Sequence, residues 1–297
     1  MINQQLIHHR QKWIQKILNV GQNSNRLEKE LQQEIQSFPN VLIDHLRLCG
    51  DIPEQYVHDS TEEKLYSKYT DTLLSLTFNE LGINSVVLQT RSNSADVESC
   101  SKSNNYSFVS DAKAFRLSRT AKNQKDFKIT ALDVWRETHD YAMLVCPIYQ
   151  LPTSQSQIYM QATTRSVCIF TYSHLAVLYR YMQISSKKKA DDLLYQIFKE
   201  VKGMNPSKNS KDYWSILNRI ILNFDPQIPA LWNEEKREVD ISIKVAKKIA
   251  LDFLCDERKR ILRMSHQAAL QELMKMNRID NREKTIQSIK NNDLLTL

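Results

Sequence analysis

The sequence predicts an α/β (α+β) chain with a central mixed sheet flanked by helices and with further helical layers on either side in sequence. Three observations carry this. β-prone runs at 86–90, 96–100 and 106–114 lie close together and are followed by a helical pattern at about 124–137. Two continuous apolar runs, 141–149 and 166–171, read as buried strands, each followed by a helical segment at 154–164 and 173–184. Only 4 glycines occur in 297 residues, too few for a dinucleotide fold or a Gly-rich phosphate loop. The resulting order is α-β-β-β-α-β-α-β-α, with residues 1–58 as an N-terminal helical layer, 59–184 as the core and 185–297 as a C-terminal helical region packed on it.

The N-terminal layer reads as three helices. Leu6, Ile7, Trp13, Ile14, Ile17 and Leu18 mark the first over 4–19, with Gly21 placed to cap it. Residues 26–38 form the second, stopped by Pro39, and 41–49 the third, followed by Gly50. This layer supports a dimer interface or flanks a ligand, and periodicity does not choose. Ser60 and Glu63 make a capping box for a helix over 61–81 that turns Leu65, Tyr69, Leu73, Leu76 and Leu81 inward and ends at Gly82. Ser173 is placed to cap the helix that runs to 184. Residues 185–192, with Lys187, Lys188 and Lys189, read as a solvated linker or, alternatively, a phosphate contact. Beyond 191 the chain is nearly all helical, broken near Pro206 and near Asp225–Pro229, with 230–264 as one long helix.

Hydrophobic content of 41% and charged content of 25% fit a globular protein. The net charge of +7 and a pI near 9.0 suit an acidic partner, and the charge is concentrated. From Val109 to Thr130 there are six Lys/Arg and two Asp, a net +4. The 5 cysteines are scattered with no C-x-x-C, which suggests reduced thiols and a cytoplasmic location. Polar residues and His8-His9-Arg10 stand where a signal peptide needs an apolar run, and no apolar run approaches the ~20 residues of a membrane span. The 7 histidines show no H-x-x-x-H pair, so no zinc site is expected, and no G-x-S-x-G occurs.

The chemistry concentrates at 96–128. Asp111 and Lys113 are two apart at a strand end, so both project to one side. The carboxylate suits a divalent metal and the ammonium can orient a water beside it. Between Asp96 and Asp111 lies the turn-rich Ser101-Lys102-Ser103-Asn104-Asn105, and a hairpin there brings Asp96 beside Asp111. An Asp at one strand start with D-x-K on the next is the pattern of the PD-(D/E)xK nucleases. It is a weak pattern alone, and a surface salt bridge is the competing reading.

A longer run is more specific. Residues 111–128, DAKAFRLSRTAKNQKDFK, closely resemble the HindIII-type type II restriction endonucleases of that superfamily, and the resemblance extends from Ser60 to about Leu178. It implies a restriction-endonuclease-like core that cleaves double-stranded DNA with Mg²⁺. Asp96, Asp111 and the Ala112 carbonyl would hold the ion, Lys113 would position the attacking water, and Glu63 would either face the site or serve only as a cap. Arg116, Arg119, Ala121, Lys122, Asn123, Lys125 and Asp126 would contact DNA, with a solvated basic face as the alternative. The resemblance further implies a homodimer, a palindromic AAGCTT target, 5′-phosphate products and a cognate methyltransferase in the host. Gln89 departs from the family pattern, which has an acidic residue there, and leaves open a catalytically inactive DNA-binding protein; a structure-specific nuclease is the other alternative.

Overall fold

One five-stranded sheet has the order β1-β2-β3-β4-β5: β1 (Asn84–Val87), β2 (Val97–Ser101), β3 (Tyr106–Ala112), β4 (Tyr141–Cys146) and β5 (Val167–Thr171). β1 to β3 are antiparallel neighbours, and β3 to β5 run parallel, so the expected mixed sheet is present. The structure is a computed structural model and describes residues 4–21, 23–88, 94–119 and 124–289, the side chains of 124 and 125 excepted. Gln89, Ala121, Lys122, Asn123 and the Lys125 side chain therefore lie outside the described residues. β4 and β5 are buried at every position, as their unbroken apolar runs require. β4 stops at Cys146, short of the predicted end at 149, because Pro147 lacks an N–H and a 3-10 turn, Ile148–Gln150, follows.

The β2–β3 hairpin turns at 102–105, with Asn105 at φ 49°, a left-handed conformation that Asn tolerates. Its register pairs Ser101 with Tyr106 and Val97 with Ser110. Buried Asp191 fastens the turn by accepting from Ser101 Oγ (2.6 Å), Asn104 Nδ2 (2.9 Å) and Tyr106 Oη (2.7 Å).

Asp191 lies on a helix, α9, where the sequence reading places a linker. In chain order the helices are α1 (Gln4–Asn19), α2 (Ser24–Ser37), α3 (Val41–Leu48), α4 (Thr61–Glu80), α5 (Gln124–Phe127), α6 (Ile129–Trp135), α7 (Gln157–Thr164), α8 (Tyr172–Ile184), α9 (Lys187–Gly203), α10 (Ser210–Phe224), α11 (Ile228–Leu262), α12 (His266–Met276) and α13 (Ile279–Ser288). Ser186 caps α9 by accepting from Lys189 N–H, and Ala190, Leu193, Leu194, Ile197, Phe198 and Val201 form its buried face. The lysines of 187–189 are the start of a helix, and Lys188 pairs with Asp192 at 2.8 Å. The helix predicted over 124–137 is divided. Phe127 and Ile129 are both buried, and two residues apart on a continuous helix they would face nearly opposite ways; Lys128 at φ 48° re-aims the chain. The cap of α8 is Thr171, which accepts from His174 N–H at 3.2 Å, two residues before the expected Ser173.

The N-terminal helices pack Trp13, Ile14 and Ile17 of α1, Leu27 and Leu31 of α2 and Leu42 and Leu46 of α3 into one core with Tyr66, Tyr69 and Leu73 of α4. Phe78 of α4 meets Phe108 of β3 edge-on at 4.9 Å, and Phe198 of α9 stacks on Tyr141 of β4 at 4.8 Å. The chain divides into two compact units, Met1–Ala250 and Leu251–Leu297. The first holds the sheet and α1 to α10. In the second, α12 and α13 bury no residue, Ser265 caps α12, and Arg260 pairs with Glu257 at 3.0 Å. Among the described residues no helix is long and apolar enough to cross a membrane.

Candidate active site

The hairpin register sets the two aspartates side by side. Val97 pairs with Ser110, so Asp96 comes next to Asp111 at the open end of β3. Backbone bonds hold that end: Asp96 N–H donates to Ser110 O at 3.2 Å, and Leu88 N–H donates to Asp96 O at 2.9 Å. On the other side Lys113 N–H donates to Val145 O of β4 at 2.8 Å, and the Tyr172 hydroxyl donates to Lys113 O at 3.0 Å. The D-x-K residues thus sit where the antiparallel and parallel halves of the sheet meet, with Ala112 between them as the last residue of β3.

Asp111 is 2% exposed, and its carboxylate meets the Lys113 ammonium. Burial, the Asp111 carboxylate beside it and nearby Asp71 push Asp96 up to about 9. Asp96 thus keeps its proton and shares it with Asp111. Burial works against the charge on Asp111, but Lys113 and the proton on Asp96 outweigh it and hold Asp111 below the usual carboxylate range. Burial also opposes the charge on Lys113, yet Asp111, Asp96 and Asp71 together raise its pKa, so it is a cation.

Asp71, 2% exposed on α4, completes the cluster, and the sequence reading missed it. The available signal was its setting: residues 69–75 of α4 are all buried, and a carboxylate in such a helix needs a charged partner. Glu63, the α4 acid singled out from the sequence, is elsewhere. Its Oε2 accepts from Asp59 N–H at 2.7 Å and its Oε1 from Arg116 Nη2 at 2.9 Å, while Ser60 Oγ accepts from Glu63 N–H at 3.2 Å. Eight residues separate Glu63 from Asp71, about 12 Å along the helix.

Asp71, Asp96 and Asp111 lie within electrostatic reach of the buried Lys113 ammonium, and Lys68 Nζ donates to Leu88 O at 3.3 Å beside the same strand end. Burial of Asp71 and Asp111 and the raised pKa of Asp96 mark the cluster as short of positive charge. A hard divalent cation with oxygen ligands fits that deficit. A carboxylate cluster of this kind at the end of a β-hairpin, with D-x-K on its second strand, is what a family comparison can test. A model of the HindIII restriction endonuclease family matches residues 11–290. The chain belongs to that family. It is also similar to the type II restriction enzyme HindIII of Haemophilus influenzae, 44% identical over 171 residues that span 56% of this chain and 57% of that relative.

The basic segment of this family member is anchored before it reaches the residues outside the description. Phe115 N–H donates to Gly50 O at 2.9 Å; a Cβ on Gly50 would lie 2.5 Å from Pro147 Cβ, so only glycine lets the chain pass there. Arg116 donates to Pro53 O at 3.1 Å as well as to Glu63, and Ser118 N–H and Oγ bond Glu54 at 2.9 and 2.8 Å. Arg119 lies 4.7 Å over the Phe115 ring and forms an ion pair with Asp126. Arg116 and Arg119 are thus each tied into the protein.

The shared proton has a measurable consequence for stability. A carboxyl whose folded-state pKa is raised contributes stability below about pH 3.8, and that contribution fades as pH rises from there toward 9. Asp96→Asn removes the titration. In EDTA the variant is expected to gain about 2 kcal/mol over the parent at pH 8, at ~1.4 kcal/mol per pKa unit discounted for the pairing with Asp111, and nothing near pH 4. Urea unfolding at both pH values reads this, and parallel pH profiles in the two chains would rule out the shared proton.

Proposed function

We propose that the chain is a Mg²⁺-dependent, sequence-specific endonuclease of double-stranded DNA that acts as a homodimer. The observation that carries this is the Asp96–Asp111–Lys113 cluster at the end of β3, with Asp71 within electrostatic reach of it. Asp96, Asp111 and the Ala112 carbonyl would hold the ion, with Asp71 adding negative charge within electrostatic reach. When bound, Mg²⁺ supplies positive charge that stabilises the developing phosphorane and lowers the pKa of a neighbouring water. Lys113, held as a cation by its pairing with Asp111, donates a hydrogen bond to the attacking water and to the phosphate; it is no general base in that state. The products would carry 5′-phosphates.

Support for DNA as substrate comes from the basic run around the cluster and from family membership. Arg119, Lys122, Lys125 and Lys128 would track phosphates, and Ala121, Asn123 and Asp126 would meet base edges. The similar protein of Haemophilus influenzae is a type II restriction enzyme, and the resemblance of 111–128 to that group supports AAGCTT as target. A palindrome offers two equivalent half-sites, which a two-fold pair of subunits matches. Sedimentation of the DNA complex is expected to give two chains per duplex; one chain per duplex would remove the dimer.

Digestion of a mapped plasmid with and without Mg²⁺ tests the activity. Discrete bands that require Mg²⁺ are expected. Intact plasmid under both conditions would leave a binding protein, and preference for branched DNA would leave a structure-specific nuclease. Asp126 tests the readout. An acceptor for cytosine N4 is worth about 1–3 kcal/mol at one base pair. Asp126→Ala should therefore relax discrimination at the central G·C pairs. A lower melting temperature with discrimination unchanged would instead make Asp126 only an ion-pair partner for Arg119.

A further inference from the structure

Outside the carboxylate cluster, the N-terminal layer brings together groups that spacing along the chain did not pair. His9 of α1, Glu34 of α2 and His45 of α3 each offer one ligand atom, and these atoms all lie within 4.8 Å of one another. Glu34 Oε2 is 3.3 Å from His45 Nε2, and Glu34 Oε1 is 3.7 Å from His9 Nε2. In a tetrahedral zinc site with ~2.0–2.1 Å bonds, neighbouring ligand atoms are about 3.3 Å apart. Glu34 thus sits within tenths of an ångström of that spacing from each histidine, and the two histidine nitrogens lie within 4.8 Å of each other.

His9 Nε2 is buried and finds no hydrogen-bond partner among the described residues. A buried polar atom with no partner is costly, and a metal bond satisfies it. His45 is 2% exposed. Its Nδ1 lies 2.7 Å from the Tyr69 hydroxyl of α4. That bond fixes the ring, and Nε2 faces Glu34 Oε2 at 3.3 Å, a contact that a metal ion would replace. The Trp13 indole N–H donates to Glu34 Oε2 and leaves Oε1 toward His9. A phenol behind one imidazole and an indole behind the carboxylate are the kind of outer partners that orient ligands in zinc sites. The rings of His9 and His45 sit edge-on at 4.7 Å, close enough for both to reach one ion. Lys12 Nζ, 3.7 Å from Glu34 Oε1, is the competing cation, but it is half exposed and free to swing away.

We propose that His9, Glu34 and His45 form a zinc site that ties α1, α2 and α3 together, with water completing a four-coordinate ion. It is separate from the Mg²⁺ cluster in chemistry as well as place: two imidazoles and one carboxylate favour zinc, whereas the cluster at β3 offers only oxygens. Its role is structural. It joins three helices that meet α4 through Tyr69, two residues before Asp71.

The test uses the full-length chain with Asp111→Asn, so that the carboxylate cluster competes poorly for metal. The metal-free protein is dialysed against Zn²⁺ in excess Mg²⁺, and bound zinc is counted by mass spectrometry. One zinc per chain is expected, with a raised melting temperature. Adding His9→Gln should weaken binding at least about 100-fold, since one of three ligands is gone. Replacement by Co²⁺ gives a readout that needs no further variant: a tetrahedral visible band, with X-ray absorption at the zinc edge showing two imidazoles. No bound zinc, an affinity that His9→Gln leaves unchanged, or an all-oxygen shell would each overturn the proposal.

Discussion

Asp111→Asn is expected to lower the single-turnover cleavage rate in Mg²⁺ by at least about a thousand-fold, with binding to the target changed only a few-fold. The substitution keeps the size of the side chain and removes one ligand charge. It leaves Arg116, Arg119 and the rest of the basic segment untouched, so the contacts that would hold phosphates remain. The fold should survive as well. Lys113 loses the carboxylate it touches, but Asp96 and Asp71 still act on it. Asp96 in turn loses the neighbour that helps hold its proton, ionises more readily and takes over as the counter-charge. Lys113→Ala is the companion variant. It should lose cleavage to a similar extent but also lose stability, because it removes the ammonium that pairs with buried Asp111. Quenched-flow cleavage and a mobility shift on the same duplex read both effects. Asp111→Asn cutting at the parental rate would remove Asp111 from the metal site.

The pairing of Asp96 with Asp111 was legible because it depends on one short-range event. Five turn-prone residues between two β-prone runs impose a hairpin, and the register then follows from strand length. The strands β4 and β5 were legible for a similar reason, since nothing but burial on both faces explains six or so consecutive apolar residues. Asp71 was not legible. Its carboxylate meets residues 25 and 42 positions later, and helical periodicity marks Tyr69 and Leu73 as inward without showing that the turn between them is also enclosed. Glu63 had the stronger local signal, a capping box, and the structure shows that it caps and also holds Arg116. The break at Lys128 was hidden because Phe127 and Ile129 both fit the apolar pattern; only their joint burial reveals that one helix cannot serve both. The lysines of 187–189 look like a linker until Ser186 is recognised as their cap. His9 and His45 come from separate helices, so no motif spacing records their meeting.

The choice between the two α4 acids is a direct experiment. Asp71→Asn is expected to reduce cleavage about 10²- to 10³-fold and to raise the Mg²⁺ concentration needed for half-maximal rate by tenfold or more, the loss typical of removing one electrostatic partner from an active site. The reason is position. Asp71 is buried within electrostatic reach of both Asp96 and Lys113, so it sets the charge that a divalent ion must balance. Glu63→Gln removes an acid from the first turn of the same helix. It weakens the bond to Arg116 and the contact with Asp59 N–H, and should cost about 1–2 kcal/mol of stability while leaving the Mg²⁺ dependence of the folded enzyme unchanged. Cleavage rates across a Mg²⁺ titration, with urea unfolding alongside, separate the two. If Glu63→Gln shifts the Mg²⁺ midpoint and Asp71→Asn does not, the acid that serves the metal is the one at the cap, and Asp71 only tunes the proton on Asp96.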